Sequence, residues 1–197
     1  MGIEKQGSKP TGFIGKIVGL MMNKYHTSFY IKYFRNNLPE DNSMILDVGC
    51  GGGKFLNYLS EKNNSYMLYG LDHSEEMVIL SQEVNREGIN QKRVEIFQGS
   101  VTMIPLDNSQ LDLVTAFETV QFWPDINDSF KEIFRVLKQG GEFLIINRYP
   151  SEKSKWWKMA KIKSDKEYRL QFENNGFGKI VIDLNFKKGW ILVKGTK

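Results

Sequence analysis

The sequence is poor in the residues that build cross-links and metal sites: one cysteine, Cys50, and two histidines in 197 residues. A lone thiol cannot close an intramolecular disulfide, so a reducing compartment, the cytoplasm, is the expected setting. Two scattered histidines and one cysteine also leave no ligand set for a metal. Long apolar runs are missing as well. The most apolar early stretch, Gly12–Met22, is interrupted by Lys16 and falls well short of the ~20 residues a spanning helix needs. It has no small-residue cleavage site, and Gln6 stands where a myristoylation signal carries Ser or Thr. The expectation is an unanchored protein without a membrane partner. Internal repeats and low-complexity segments are absent too.

What is present fits an ordinary globular chain, with 41% hydrophobic and 25% charged residues. This length suits one complete core and is short for two, so a single domain over residues 1–197 is expected. The net charge of +4 reads as a solvated, lysine-rich surface before it reads as a site for an anionic partner.

Residues 13–38 carry apolar and aromatic side chains at helical spacing, from Ile14 through Tyr30 to Phe34, which predicts one or two helices loosened by Gly15 and Gly19. From Met44 the pattern changes to short apolar runs alternating with amphipathic segments. The runs are 44–48, 67–71, 94–97, 111–117 and 141–146; helices are expected over 53–61, 74–86 and 126–137. Ser74 opens the second of these, with Glu75 and Glu76 in its first turn, where the helix dipole favours acids. Such alternation means a parallel sheet covered on both faces. Two β-rich runs near the end, 180–184 and 190–193, are joined by a link too short for a crossover helix and should form an antiparallel hairpin. The fold class is therefore α/β: a Rossmann-like, seven-stranded, mostly parallel sheet with helices on both faces and a C-terminal antiparallel hairpin.

Residues 49–53 hold four glycines in five positions at the carboxyl end of the first strand, where open parallel sheets bind ligands. Glycine lets the chain turn tightly and lets a ligand lie on bare backbone beside a helix N-terminus. Two phosphate-binding patterns are excluded by what the loop lacks. A dinucleotide fingerprint needs a third glycine where Lys54 or Leu56 stands, and a P-loop needs Ser or Thr where Phe55 follows Lys54.

"ILDVGCGGGKF" resembles instead the first motif of class I S-adenosylmethionine-dependent methyltransferases, an acid followed by G-x-G-x-G: Asp47, then Gly49, Gly51 and Gly53. The likeness continues in order through "YGLDHSEEMV", "FQGSVTMIPLDNSQLDLVTAFETVQFWPD", "RVLKQGGEFLI" and "NNGFGKIVI". It covers residues 44–147 closely and 165–197 loosely. By this resemblance Asp72 accepts hydrogen bonds from the ribose hydroxyls, a task suited to a carboxylate. Ser100 and Val101 lie by the adenine, with Met77 packed on the ring and His73 beside it. Many relatives carry Asp where Ser100 stands, but a hydroxyl can still accept from the adenine amino group. Gly49, Cys50, Gly51 and Phe117 complete the cofactor-binding set. Cys50 is a small residue in a tight loop, since nothing nearby lowers its pKa. Asp47 either caps the loop or approaches the amino end of the cofactor.

The resemblance implies S-adenosyl-L-methionine as methyl donor, S-adenosyl-L-homocysteine as product, and no metal. Residues 1–43 would form a helical lid, 44–147 the cofactor-binding core, 148–164 a cap segment and 165–197 a helix and hairpin. Catalytic residues are not identified. Candidates for the acceptor pocket are Glu118, Phe122 and Trp123 after the fourth strand, and His26 with Tyr30 on one face of the lid helix. Glu118 either orients or deprotonates an acceptor amine, or is a loop carboxylate without chemistry. The fourth motif reads "AFET" and lacks the Asn/Asp-Pro-Pro-aromatic signature of amino-group methylases; the one cysteine is misplaced for a nucleobase-carbon methylase. A small-molecule acceptor is expected. The alternatives are an RNA or protein methyltransferase using the basic, aromatic segment 153–163, and a non-catalytic S-adenosylmethionine-binding protein. The sequence does not specify the oligomeric state.

Overall fold

The computed structural model describes residues 27–197. Most of the expected N-terminal lid, His26 included, lies outside them. Seven strands form a mixed, mostly parallel sheet, and the chain groups into two compact units, Met1–Ser100 and Val101–Lys197.

In the first unit, β1 (Met44–Val48), β2 (Met67–Asp72) and β3 (Val94–Gln98) run parallel in the order β3-β2-β1. β1 and β2 are buried along almost their whole length. Such strands read as continuous apolar runs because helices cover both faces. The helices among the described residues of this unit are α1 (Thr27–Phe34), α2 (Lys54–Lys62), α3 (Glu75–Val84) and α4 (Arg86–Asn90). Leu46, Leu56, Leu59 and Leu68 are fully buried between helices and sheet; each contributes about 1.5–3 kcal/mol relative to an exposed side chain. Tyr30 and Phe34 fix α1 on the unit, Phe34 with its ring 4.9 Å from that of Phe55.

The expected helix over 74–86 is two helices. It breaks at Asn85, whose amide nitrogen donates to Ser81 O at 2.8 Å and to Gly53 O at 2.9 Å. Ser74 does sit at the N-cap of α3, but its hydroxyl makes no capping bond and donates to Glu76 Oε2 at 3.0 Å.

In the second unit the order is β4-β5-β7-β6, with β4 (Leu111–Phe117) parallel to β5 (Leu137–Arg148), and β7 (Trp190–Thr196) antiparallel to both β5 and β6 (Gly178–Asp183). β7 is thus the one reversed strand, as a terminal hairpin requires. Three helices, α5 (Ile126–Val136), α6 (Lys155–Met159) and α7 (Asp165–Asn174), and a 3₁₀ turn at Val120–Phe122 complete it. Asp125 caps α5 by accepting from Asp128 N at 2.8 Å, and Ser164 caps α7 by accepting from Glu167 N at 3.2 Å. β5 is longer than expected, starting at Leu137 instead of 141: its register against β4 shifts between Leu111 and Leu113, and Gly140 takes φ 83° in the extra loop. Rings of Phe130, Phe143, Phe172 and Phe177 meet edge-on, stacked or tilted with centroids 5.1–6.3 Å apart, the offsets aromatic quadrupoles favour.

Candidate active site

The glycine loop follows β1 and is tied to the end of β2. Gly49 N and Cys50 N both donate to Leu71 O, at 2.7 and 3.1 Å, and Gly53 N closes a turn on Cys50 O at 3.0 Å. Gly49, Gly51 and Gly53 all take positive φ: 72°, 51° and 73°. The last two serve different ends. A Cβ on Gly53 would stand 2.2 Å from Ser81 Oγ and 2.4 Å from Asn85 Nδ2, so this glycine lets the start of α2 press against α3. A Cβ on Gly51 would meet nothing within 4 Å. That glycine opens its backbone to space, beside the first turn of α2, whose N–H groups have no partner within the helix.

Asp72 lies at the end of β2 and is only 7% exposed. Its Oδ2 accepts from Gly51 N and its Oδ1 from Ser74 N, both at 2.9 Å. One carboxylate oxygen thus faces the glycine loop and the other the turn that opens α3, and each oxygen can accept more than one hydrogen bond. Burial pushes its pKa up, against the two N–H donors and His73, which pull it down. His73 is about half exposed, with Nδ1 3.6 Å from Asp72 Oδ1. Asp47, one residue before the end of β1, is buried, as is Met77 on α3. Burial, reinforced by Asp72 and Asp47, raises the Cys50 thiol well above its ordinary value, so it stays protonated. Gly99 N donates to Asp72 O at 2.9 Å and brings Ser100 just past the end of β3. The first unit therefore gathers Gly49, Cys50, Gly51, Asp72 and His73 around one loop. Tyr30 is buried within the same unit.

Within the second unit, Val101 and Phe117 are buried and Phe122 is half-buried. Glu118 follows β4 with φ 56°, and its N–H donates to Ile146 O at 3.0 Å. Its side chain is 10% exposed and pairs with Arg148, Oε1 to Nε 3.5 Å. Trp123, expected in a pocket wall, is instead core: it is 4% exposed, stacks on Phe143 at 6.3 Å and donates from Nε1 to Thr119 Oγ1 at 2.7 Å. The Thr119 hydroxyl satisfies the one polar atom of the indole, and this lets the ring turn inward.

Reading the sequence missed Asn147 and Arg148, at the carboxyl end of β5. The Arg148 guanidinium carbon lies 4.9 Å from the ring centroids of both Trp156 and Trp190. The rule that placed a site after β1, ligands at the carboxyl ends of parallel strands, applies equally to β5 and would have pointed to them. Segment 153–163 folds against its own unit: Trp156 packs on Arg148, Lys163 sits 5.1 Å over Trp157, and Lys161 donates to the carbonyls of Trp123 and Pro124.

The first unit thus carries a glycine loop after one parallel strand and a buried carboxylate at the end of the neighbouring strand. Residues 46–145 match the methyltransferase-domain family, and the chain belongs to it; its members are S-adenosylmethionine-dependent class I methyltransferases. Among its relatives, the demethylmenaquinone methyltransferase of Lactococcus lactis is 37% identical over 132 residues, 66% of this chain and 52% of that protein. The chain thus spans about half the length of that relative. An S-adenosylmethionine-dependent methyltransferase from Aquifex aeolicus matches in structure with a TM-score of 0.70 at 25% identity, covering 84% of this chain and 87% of that one. The geranyl diphosphate C-methyltransferase of Streptomyces coelicolor, solved with magnesium, geranyl diphosphate and S-adenosylhomocysteine, shares the fold: TM-score 0.71 at 18% identity over 86% of this chain and 77% of that one.

Proposed function

We propose that the chain is a single-domain enzyme that binds S-adenosylmethionine and methylates an N, O, S or C nucleophile of a small molecule. The observation that carries the reading is the pairing of Gly51 with Asp72. An open backbone at positive φ donates its N–H to a carboxylate that keeps acceptor capacity for the two hydroxyls of a ribose. Bound there, the donor would supply an electrophilic methyl group, its sulfur keeping the electrons of the carbon–sulfur bond while the acceptor contributes the electron pair of the new bond.

The residues of the chain act by placement. Asp72 holds the ribose, and its two bonds to Gly51 N and Ser74 N fix the carboxylate plane before ligand arrives. Ser100, Met77 and His73 would line the adenine, and Gly49 and Cys50 would present backbone to the amino-acid end beside Asp47. Because the methyl group is already activated, alignment of an acceptor suffices for much of the rate, and no acid–base pair is demanded. Glu118 would orient an acceptor amine or take the proton it releases.

The names of two relatives, which specify demethylmenaquinone and geranyl diphosphate, support a small-molecule acceptor. Within segment 153–163, Lys161 and Lys163 are engaged in their own unit, which leaves fewer cations for an RNA face. No helix among the described residues is long and apolar enough to cross a membrane. The single, buried Cys50 is in keeping with a cytoplasmic setting.

The test is calorimetric titration with S-adenosylmethionine, S-adenosylhomocysteine and NAD. Binding of the first two alone is expected. Binding of NAD alone, or of none, overturns the proposal, and binding without methyl transfer to any acceptor in a panel makes the protein a non-catalytic binder.

A further inference from the structure

Asn85 divides α3 from α4, and its side chain serves neither helix in the usual way. It is 2% exposed and ends α3 with its backbone N–H on Ser81 O at 3.0 Å. It is also the N-cap of α4, where asparagine ordinarily accepts from the first N–H groups of the helix with its side-chain oxygen. Here that bond is not made, and Oδ1 has no hydrogen-bond partner. Nδ2 instead donates to Ser81 O at 2.8 Å and, 32 residues back, to Gly53 O at 2.9 Å. Turning the amide over would set an oxygen against two carbonyls, so these acceptors fix its orientation.

Neither carbonyl depends on this amide for a partner. Ser81 O already accepts from Asn85 N, and Gly53 O from Asn57 N at 3.1 Å in the first turn of α2. A forgone cap and a buried acceptor left unmatched both lower stability, and such local losses gather at functional sites. What the side chain secures is the position of one peptide. Gly53 joins loop to helix at φ 73°: its N–H closes the turn on Cys50 O at 3.0 Å, and its carbonyl begins the hydrogen bonding of α2. The turn so closed contains Gly51, whose N–H donates to Asp72 Oδ2 at 2.9 Å. Carbonyl and following N–H point in opposite directions across a trans peptide, so holding Gly53 O on Asn85 aims the Lys54 N–H out of the N-terminal end of α2. A loop of glycines has no side chains with which to anchor itself, and the anchor comes from α3.

We propose that Asn85 is a positioning residue of the cofactor site: by holding the Gly53 carbonyl against the end of α3, it keeps the glycine loop in its ligand-binding shape before ligand arrives. The inference rests on the methyltransferase reading and adds to it a residue that acts through the loop. Every group involved lies in the first unit. A loop without the clamp must be ordered on binding, and that entropy is lost from the affinity.

The test combines amide hydrogen exchange with calorimetric titration of S-adenosylhomocysteine on wild type, Asn85→Ala and Asn85→Asp. The aspartate variant fills nearly the same space, can accept at the α4 cap and, when ionised, has no N–H for Gly53 O. In ligand-free wild type, the N–H groups of Gly51 and Gly53 should exchange about tenfold or more slower than those of an unstructured chain. Unprotected exchange there overturns the proposal before any variant is made. In each variant that folds, these two N–H groups should exchange about tenfold or more faster than in wild type, measured relative to Leu68 N–H, which is bound to Arg93 O at the edge of the same unit. S-adenosylhomocysteine affinity should fall about fivefold or more. Equal acceleration at the loop and at Leu68 would reduce Asn85 to a structural role and overturn the proposal, as would unchanged affinity. Failure of S-adenosylhomocysteine to bind wild type would instead overturn the methyltransferase reading, while the exchange rates still decide whether Asn85 holds the loop.

Discussion

The glycine loop after β1 and the side-chain cluster around Arg148 at the end of β5 are built in opposite ways. In the first, the shape is set mostly by backbone: the N–H groups of Gly49, Cys50, Gly51 and Gly53 are bound to Leu71 O, Cys50 O and one carboxylate. In the second it is set by side chains brought from four separate segments: Glu118 after β4, Asn147 and Arg148 on β5, Trp156 on α6, and Lys187 with Trp190 in the hairpin. A site made of backbone must write its geometry into consecutive residues, because glycine adopts the positive φ without strain. A site made of side chains writes nothing local, and its specificity can change without disturbing the loop. The first arrangement suits a cofactor common to a family; the second is free to vary from one member to another.

The sharpest way to break this comparison is to place one methyl group at each of two glycines. Gly53→Ala drives a Cβ to 2.2 Å from Ser81 Oγ at φ 73°. Strain and overpacking of about 1–3 kcal/mol each should lower the melting temperature by roughly 5–15 °C. Gly51→Ala meets open space, so it should cost stability only the strain of its φ, about 1–2 kcal/mol, while weakening S-adenosylhomocysteine binding at least tenfold in calorimetry. Equal losses of stability in the two variants, with binding intact in Gly51→Ala, would dissolve the distinction between a packing glycine and a ligand-facing one.

The same division explains how much of the molecule could be read in advance. Strands 44–48 and 111–117 were legible to the residue, because buried parallel strands are continuous apolar runs. The break at Asn85 was not, since it depends on a side chain reaching back to Gly53 O, a contact between residues far apart in sequence. Trp123 was placed in a pocket wall because an aromatic after a strand end is ambiguous until its indole N–H finds Thr119 Oγ1. Arg148 went unnoticed for a related reason: a basic residue closing a strand is unremarkable until two indoles from elsewhere flank it.

A smaller effect separates the two sites by pH. Burial raises the pKa of Asp72 above the usual aspartate range, so the folded chain takes up this proton before the unfolded chain does. The ionised, buried carboxylate costs stability above its folded pKa, and that cost disappears as pH falls toward the usual aspartate value. Ribose hydroxyls need the ionised form, so cofactor affinity should weaken over the same window. Ligand-free stability and S-adenosylhomocysteine affinity therefore carry opposite contributions from Asp72 on acidification. Calorimetry and thermal melts of wild type against Asp72→Ala across that window would isolate the two, and a binding profile that is flat in wild type would remove Asp72 from the ribose.

The central claim is that the loop and Asp72 hold the methyl donor, and the most direct measurement is a side-by-side titration of S-adenosylhomocysteine into wild type and Asp72→Ala at neutral pH. Saturable binding to wild type and an affinity at least tenfold lower in the variant, about 1.4 kcal/mol or more, is the predicted result. Equal affinity in the two proteins would contradict it and send the search for the ribose site elsewhere in the fold.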